Sequence, residues 1–139
     1  MNQEISVLII SPNNSLYHSV LDAVHALCDS IHTYRASNIS EALKVMIDLE
    51  IRSDRLQIYL DSKTFKTEAQ NFLRLLDKNH HGKSRRMVIL ADDAANTSSI
   101  VSLALAECVG DVLNYPISST EVETAIQKQF PKLDTSIHS

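Results

Sequence analysis

The stretch ISVLIISPNNSLYHSVLDAVHALC (residues 5–28) joins two patterns that together decide the fold. Its first six residues, Ile5 to Ile10, are nearly all apolar and rich in β-branched side chains, the composition of a strand covered on both faces. Ser11-Pro12-Asn13-Asn14 follows as a turn signal. Beyond it Leu16, Val20, Leu21, Val24, Leu27 and Cys28 recur at steps of three and four, which marks one buried stripe on a helix of about three to four turns. A doubly covered strand feeding an amphipathic helix is the unit from which parallel sheets with helices on both faces are built.

The same alternation continues outward from this unit. Residues 31–35 read as a short, weak strand. Asn38 with Glu41 three residues on forms a capping-box pattern, opening a helix with Ala42, Leu43, Met46, Ile47 and Leu49 inward. LQIYL (56–60) is a strand; Phe65, Ala69, Phe72, Leu73 and Leu76 trace a third helix, with Gly82 a plausible stop after it. MVIL (87–90) is a fourth strand, Ile100, Val101, Ala104 and Leu105 mark a fourth helix, and Asp111 to Asn114 gives a fifth strand. Ser118 with Glu121 repeats the capping box ahead of a last helix that carries Val122, Ala125, Ile126 and Phe130. The expected fold class is therefore α/β: a doubly wound, five-stranded parallel sheet with helices on both faces and its active rim at the carboxyl ends of the strands. Residues 1–130 form the expected domain, and 131–139, where apolar periodicity stops, read as a tail or the start of a linker.

Composition narrows the function. With 139 residues, 44% apolar and 22% charged, the chain suits one domain with a continuous core. Seventeen acids against thirteen bases give a formal charge of −4, which disfavours a whole-domain polyanion binder. Only two glycines, Gly82 and Gly110, occur, so glycine-rich phosphate loops are excluded. The run Ile5–Ile10 is too short for a signal peptide or a membrane span, and a cytoplasmic location is expected. Cys28 and Cys108 suit buried thiols better than a disulfide, metal site or nucleophile. No GxSxG, HExxH or CxxC pattern is present, and no enzyme is expected.

Four segments, VLIISPNN, LQIYLDSK, MVILADD and DVLNYPISSTEVETAI, resemble the landmark segments of bacterial response-regulator receiver (CheY-like, flavodoxin-like) domains, spread over almost all of residues 5–130. In that family the first strand ends in a pair of acids, the third in the aspartate that takes a phosphoryl group, the fourth in Thr or Ser, and the fifth in Lys-Pro. Here the landmarks fall on Ser11-Pro12, Asp61, Ala91 and Tyr115-Pro116. The resemblance thus marks Asp61 as the phosphoacceptor equivalent and the other five residues as a degenerate pocket.

These replacements bear on the chemistry. Phosphoryl transfer to a carboxylate needs the charge on the transferring oxygens neutralised, usually by Mg²⁺ and fixed donors. Mg²⁺ wants several hard oxygen ligands, and Ser11-Pro12 removes the acid pair. Tyr115 offers a hydroxyl where an ammonium is expected, and Ala91 offers nothing. Asp61 is then expected to hydrogen-bond to Lys63, Ser11 or nearby backbone, while Tyr115 fills the pocket or faces a partner. Asp92 and Asp93 are read first as loop acids or as acids at the start of the fourth helix, with a role as rescue acids for a rearranged pocket the alternative. No resident metal or cofactor is expected; Mg²⁺ enters only with that pocket. Val112, where many receivers carry an aromatic switch, is small.

The basic stretch KNHHGKSRR (78–86) lies at the opposite end of the expected sheet from Asp61 and reads as a solvated loop, without the interleaved aromatics of a nucleic-acid site. His80 and His81 diverge on most backbones, and the seven-residue spacing of His18, His25 and His32 is read as coincidence. The expected function is a non-enzymatic regulatory module that contacts another protein or an attached output domain, independently of Asp61 phosphorylation. The resemblance points to the fourth helix, fifth strand and fifth helix as the contact or homodimer face, with Ser102, Glu107, Asp111, Glu123 and Gln127 exposed. The alternatives are a phosphoacceptor built on Asp61 and a small-ligand or nucleotide sensor using the same crevice.

Overall fold

The computed structural model describes residues 5–52, 56–61, 87–91, 111–114 and 117–130. Five strands form one parallel sheet: β1 (Ser6–Ile10), β2 (His32–Ala36), β3 (Leu56–Asp61), β4 (Met87–Ala91) and β5 (Asp111–Asn114). Their order is β2-β1-β3-β4-β5, the flavodoxin-like arrangement. Three helices are described with them, α1 (Asn14–Leu27), α2 (Ile39–Arg52) and α3 (Ser119–Gln129). Every strand lies within one residue of the bounds expected from sequence. The expected third and fourth helices (65–76 and 100–105), the stretch 78–86, Cys108 and the tail 131–139 lie outside the described residues.

Strand β1 is buried from end to end because both of its faces are covered. One face joins Val7, Ile9, Tyr59, Val88, Leu90 and Leu113 to the apolar stripes of α1 and α3. Strand alternation sends Leu8, Ile10, Ile58 and Leu60, all buried, to the other face, where α2 packs against β1 and β2 with Ala42 and Met46 buried. Full burial of each such Leu or Ile stabilises the fold by about 1.5–3 kcal/mol. β2 lies at the sheet edge and is only partly buried, which is why its sequence signal is weak.

The caps set the helix starts. Asn13 Oδ1 accepts from the Leu16 N–H at 3.1 Å, and Ser118 and Glu121 form the reciprocal capping box in front of α3. At α2 the box is shifted. Asn38 Oδ1 accepts from the Glu41 N–H at 2.8 Å, but Glu41 returns its carboxylate to the Ser37 N–H at 2.9 Å, one residue earlier than the motif implies. Cys28 does not continue α1. It is the extended C-cap, and its N–H still donates to the Val24 carbonyl. Leu21 and Leu43, expected in the buried stripes, are half-buried, since each lies at the margin of its helix's apolar arc. Among the described residues no helix is long and apolar enough to cross a membrane.

Candidate functional site

In this topology β2 and β3 lie on opposite sides of β1, so the chain leaves β1 at a switch point where the connections diverge and open a crevice at the carboxyl ends. Register places Ile10 opposite both Ala36 and Leu60. The next residues of β1 and β3, Ser11 and Asp61, therefore meet across the mouth of that crevice.

They meet by a direct hydrogen bond. Ser11 Oγ donates to Asp61 Oδ2 at 2.7 Å, with Ser11 0% and Asp61 1% exposed. The same hydroxyl accepts from the Asn13 N–H at 3.0 Å. The Ser11 N–H donates to the Ala36 carbonyl at 3.0 Å, and its carbonyl accepts from Arg35 Nε at 3.3 Å. Every polar group of Ser11 is thus engaged, as burial requires. Asn13, by capping α1, extends the chain of bonds from Asp61 into the first turn of that helix. Pro12, exposed between them, has no N–H to contribute.

Arg35, at the end of β2, was not singled out from sequence. Its guanidinium stands 4.5 Å from the Tyr17 ring centroid, a cation–π distance, while its Nε holds the Ser11 carbonyl. Tyr17 in turn meets His18 at 5.2 Å between ring centroids. An arginine ending an edge strand gives no signal until register places it beside the residue that follows β1. The described rim therefore carries one carboxylate, one buried hydroxyl and one half-buried guanidinium that is already engaged.

The described part of the rim does not supply the donor set that hexacoordinate Mg²⁺ takes. A hard divalent ion needs several free oxygens in near-octahedral array. Among the described residues of the rim the Ser11 hydroxyl spends its proton on the carboxylate of Asp61, and Pro12 follows it. Among the described residues no group of three or more His, Cys, Asp or Glu could hold a metal ion. Asp61 is buried, and its Oδ2 accepts the Ser11 hydroxyl.

Of the other expected site residues, Ala91 ends β4 opposite Asn114 of β5, on the same rim. Asp92, Asp93, Tyr115 and Pro116 lie outside the described residues, as do Lys63, Ser102 and Glu107. Val112 and Asp111 lie in β5. On α3 Gln127 is exposed, whereas Glu123, expected exposed, is half-buried beside Val122. His18, His25 and His32 are exposed, and Cys28 is buried with its Sγ 3.0 Å from Ser30 Oγ.

No family model matches the sequence, and no curated protein matches it. Solved structures do. A response regulator from Thermotoga maritima superposes with a TM-score of 0.71 at 14% identity, over 93% of this chain and 99% of that one. A response regulator receiver domain protein from Clostridium thermocellum gives a TM-score of 0.72 at 17% identity, over 92% of this chain and 95% of that one. NtrX from Brucella abortus gives 0.69 at 16% identity, over 94% of this chain but 28% of that longer one. The likeness at these identities is one of fold, and the fold is that of response-regulator receiver domains.

Proposed function

We propose that this domain is a receiver-fold signalling module that works by contact with another protein or an attached output domain, without metal-dependent phosphorylation of Asp61. The observation that carries this reading is the 2.7 Å bond from Ser11 Oγ to Asp61 Oδ2, which places a neutral hydroxyl beside the carboxylate where metal-binding acids would be needed. A fixed internal donor neutralises part of the carboxylate's demand for hydrogen bonds and leaves a transferring phosphoryl group without cationic support. NtrX, in which the matching part is a minority of the chain, supports an attached domain as one form of the partner. The last helix offers a polar outer face for such contact, with Thr120, Thr124, Gln127 and Lys128 exposed.

The test is incubation of the full chain with a small acyl phosphate and Mg²⁺, read by intact mass, beside thermal melts with and without Mg²⁺. The expected result is no Asp61-dependent gain of a phosphoryl group and no Mg²⁺-dependent rise in melting temperature. A stable mass gain that disappears in Asp61→Asn would overturn the proposal in favour of a rearranged phosphoacceptor, with Asp92 and Asp93 the first residues to mutate. A melting shift produced by a nucleotide or another small ligand, and persisting at high salt, would favour a sensor instead.

A further inference from the structure

We propose that Gln57 is the positioning residue that fixes how α3 is seated on the sheet, and so which residues of that helix are displayed. Gln57 is the second residue of β3, 1% exposed, in a strand whose every residue is buried. Its Nε2 donates to the Ala125 carbonyl at 3.1 Å and to Gln129 Oε1 at 2.9 Å. Gln129 Nε2 donates back to the Leu56 carbonyl at 3.2 Å. Three directional bonds thus clasp the last turns of α3 to the amino end of β3, roughly 13 Å along the strand from Asp61. The donor end of the amide faces the carbonyl-rich, negative pole of the helix, the favourable orientation.

The clasp has a cost that an apolar residue would not incur. Gln57 Oε1 is buried and has no hydrogen-bond partner among the described residues. An unpaired buried carbonyl is destabilising, and a methionine or leucine there would avoid it. What the amide adds is direction. The remaining anchors of α3 are Val122, Ala125, Ile126 and Phe130, whose apolar contacts tolerate rotation and sliding far better than hydrogen bonds do. Gln57 therefore selects one rotation and one axial register of α3 from the several that its apolar stripe allows. This role lies at the far end of the sheet from Ser11 and stands whether or not Asp61 ever carries a phosphoryl group.

The test compares the wild-type chain with Gln57→Leu and Gln129→Ala by two-dimensional amide NMR, hydrogen exchange and urea unfolding. Gln129→Ala removes two of the three bonds at a half-buried position, so it tests the clasp even if the core variant folds poorly. In both variants the α3 resonances should broaden or double, and exchange at the Gln129 and Phe130 amides should rise about tenfold. Resonances of β1 should stay single, and Gln57→Leu should unfold at no lower urea concentration than wild type. Single, unshifted α3 resonances in both variants would overturn the proposal. A loss of stability shared equally by every amide would overturn it too, since that is the signature of a contact with no positioning role.

Discussion

Replacing Ser11 by Ala removes one oxygen atom and two hydrogen bonds, and the two losses are unequal. The Asn13 N–H belongs to an exposed residue and regains water, so its loss costs little. Asp61 is 1% exposed and loses the donor on Oδ2. Hydrogen bonds to charged groups contribute about 1.5–3 kcal/mol, and the burial of Asp61 keeps water from replacing this one. A destabilisation of about 2 kcal/mol is expected. With a urea m-value of about 1.5 kcal/mol/M for a domain of this size, the unfolding midpoint should fall by about 1.3 M with m unchanged. Repeating the substitution in an Asp61→Asn background completes a double-mutant cycle, and the coupling between the two positions should exceed about 1 kcal/mol. A midpoint shift below about 0.3 M, or additive effects across the cycle, would refute the idea that the hydroxyl's chief task is to satisfy Asp61.

Other consequences follow from the same geometry. Ser118→Ala removes the side-chain half of the α3 capping box and should cost about 1 kcal/mol, lowering the melting temperature by about 3 °C in a calorimetric scan. Leu8→Ala empties a fully buried position on the face opposite α1 and should cost about 3 kcal/mol in chemical denaturation. Arg35→Ala loses the Ser11 carbonyl bond and the Tyr17 ring contact at a half-buried site, so a loss of about 1 kcal/mol is expected, with the near-ultraviolet tyrosine signal altered. An unchanged tyrosine signal would show that the guanidinium does not rest on that ring in solution.

Runs such as Ile5–Ile10 and Leu56–Leu60 were legible because doubly covered strands leave nearly unbroken apolar stretches, and Ser118 was legible because capping is a local pattern, whereas Asn13 was read only as part of a turn. The site was legible in outline. Ser11 was among the partners expected for Asp61, since both end strands on one rim, and the structure joins them. Arg35 and Gln57 were not found, for a common reason. Each works through residues distant in sequence, brought beside it by strand register or helix seating; an arginine is ordinary in an edge strand, and the glutamine inside LQIYL names no partner until α3 is seated. The end of α1 at Cys28 was missed because no glycine marks it, and the chain simply turns extended there.

The corner around Ser11 draws its partners from the turn after β1, from the end of β2 and from a residue fifty positions away. The bond to Asp61 cannot form until β1 and β3 have aligned, nor those to Ala36 and Arg35 until β2 has joined β1, so little of this network beyond the local Asn13 turn should exist in the folding transition state. Ser11→Ala should then hasten unfolding far more than it slows refolding. This corner would thus act as a kinetic fastener, setting how long the native state persists more than how quickly it is reached.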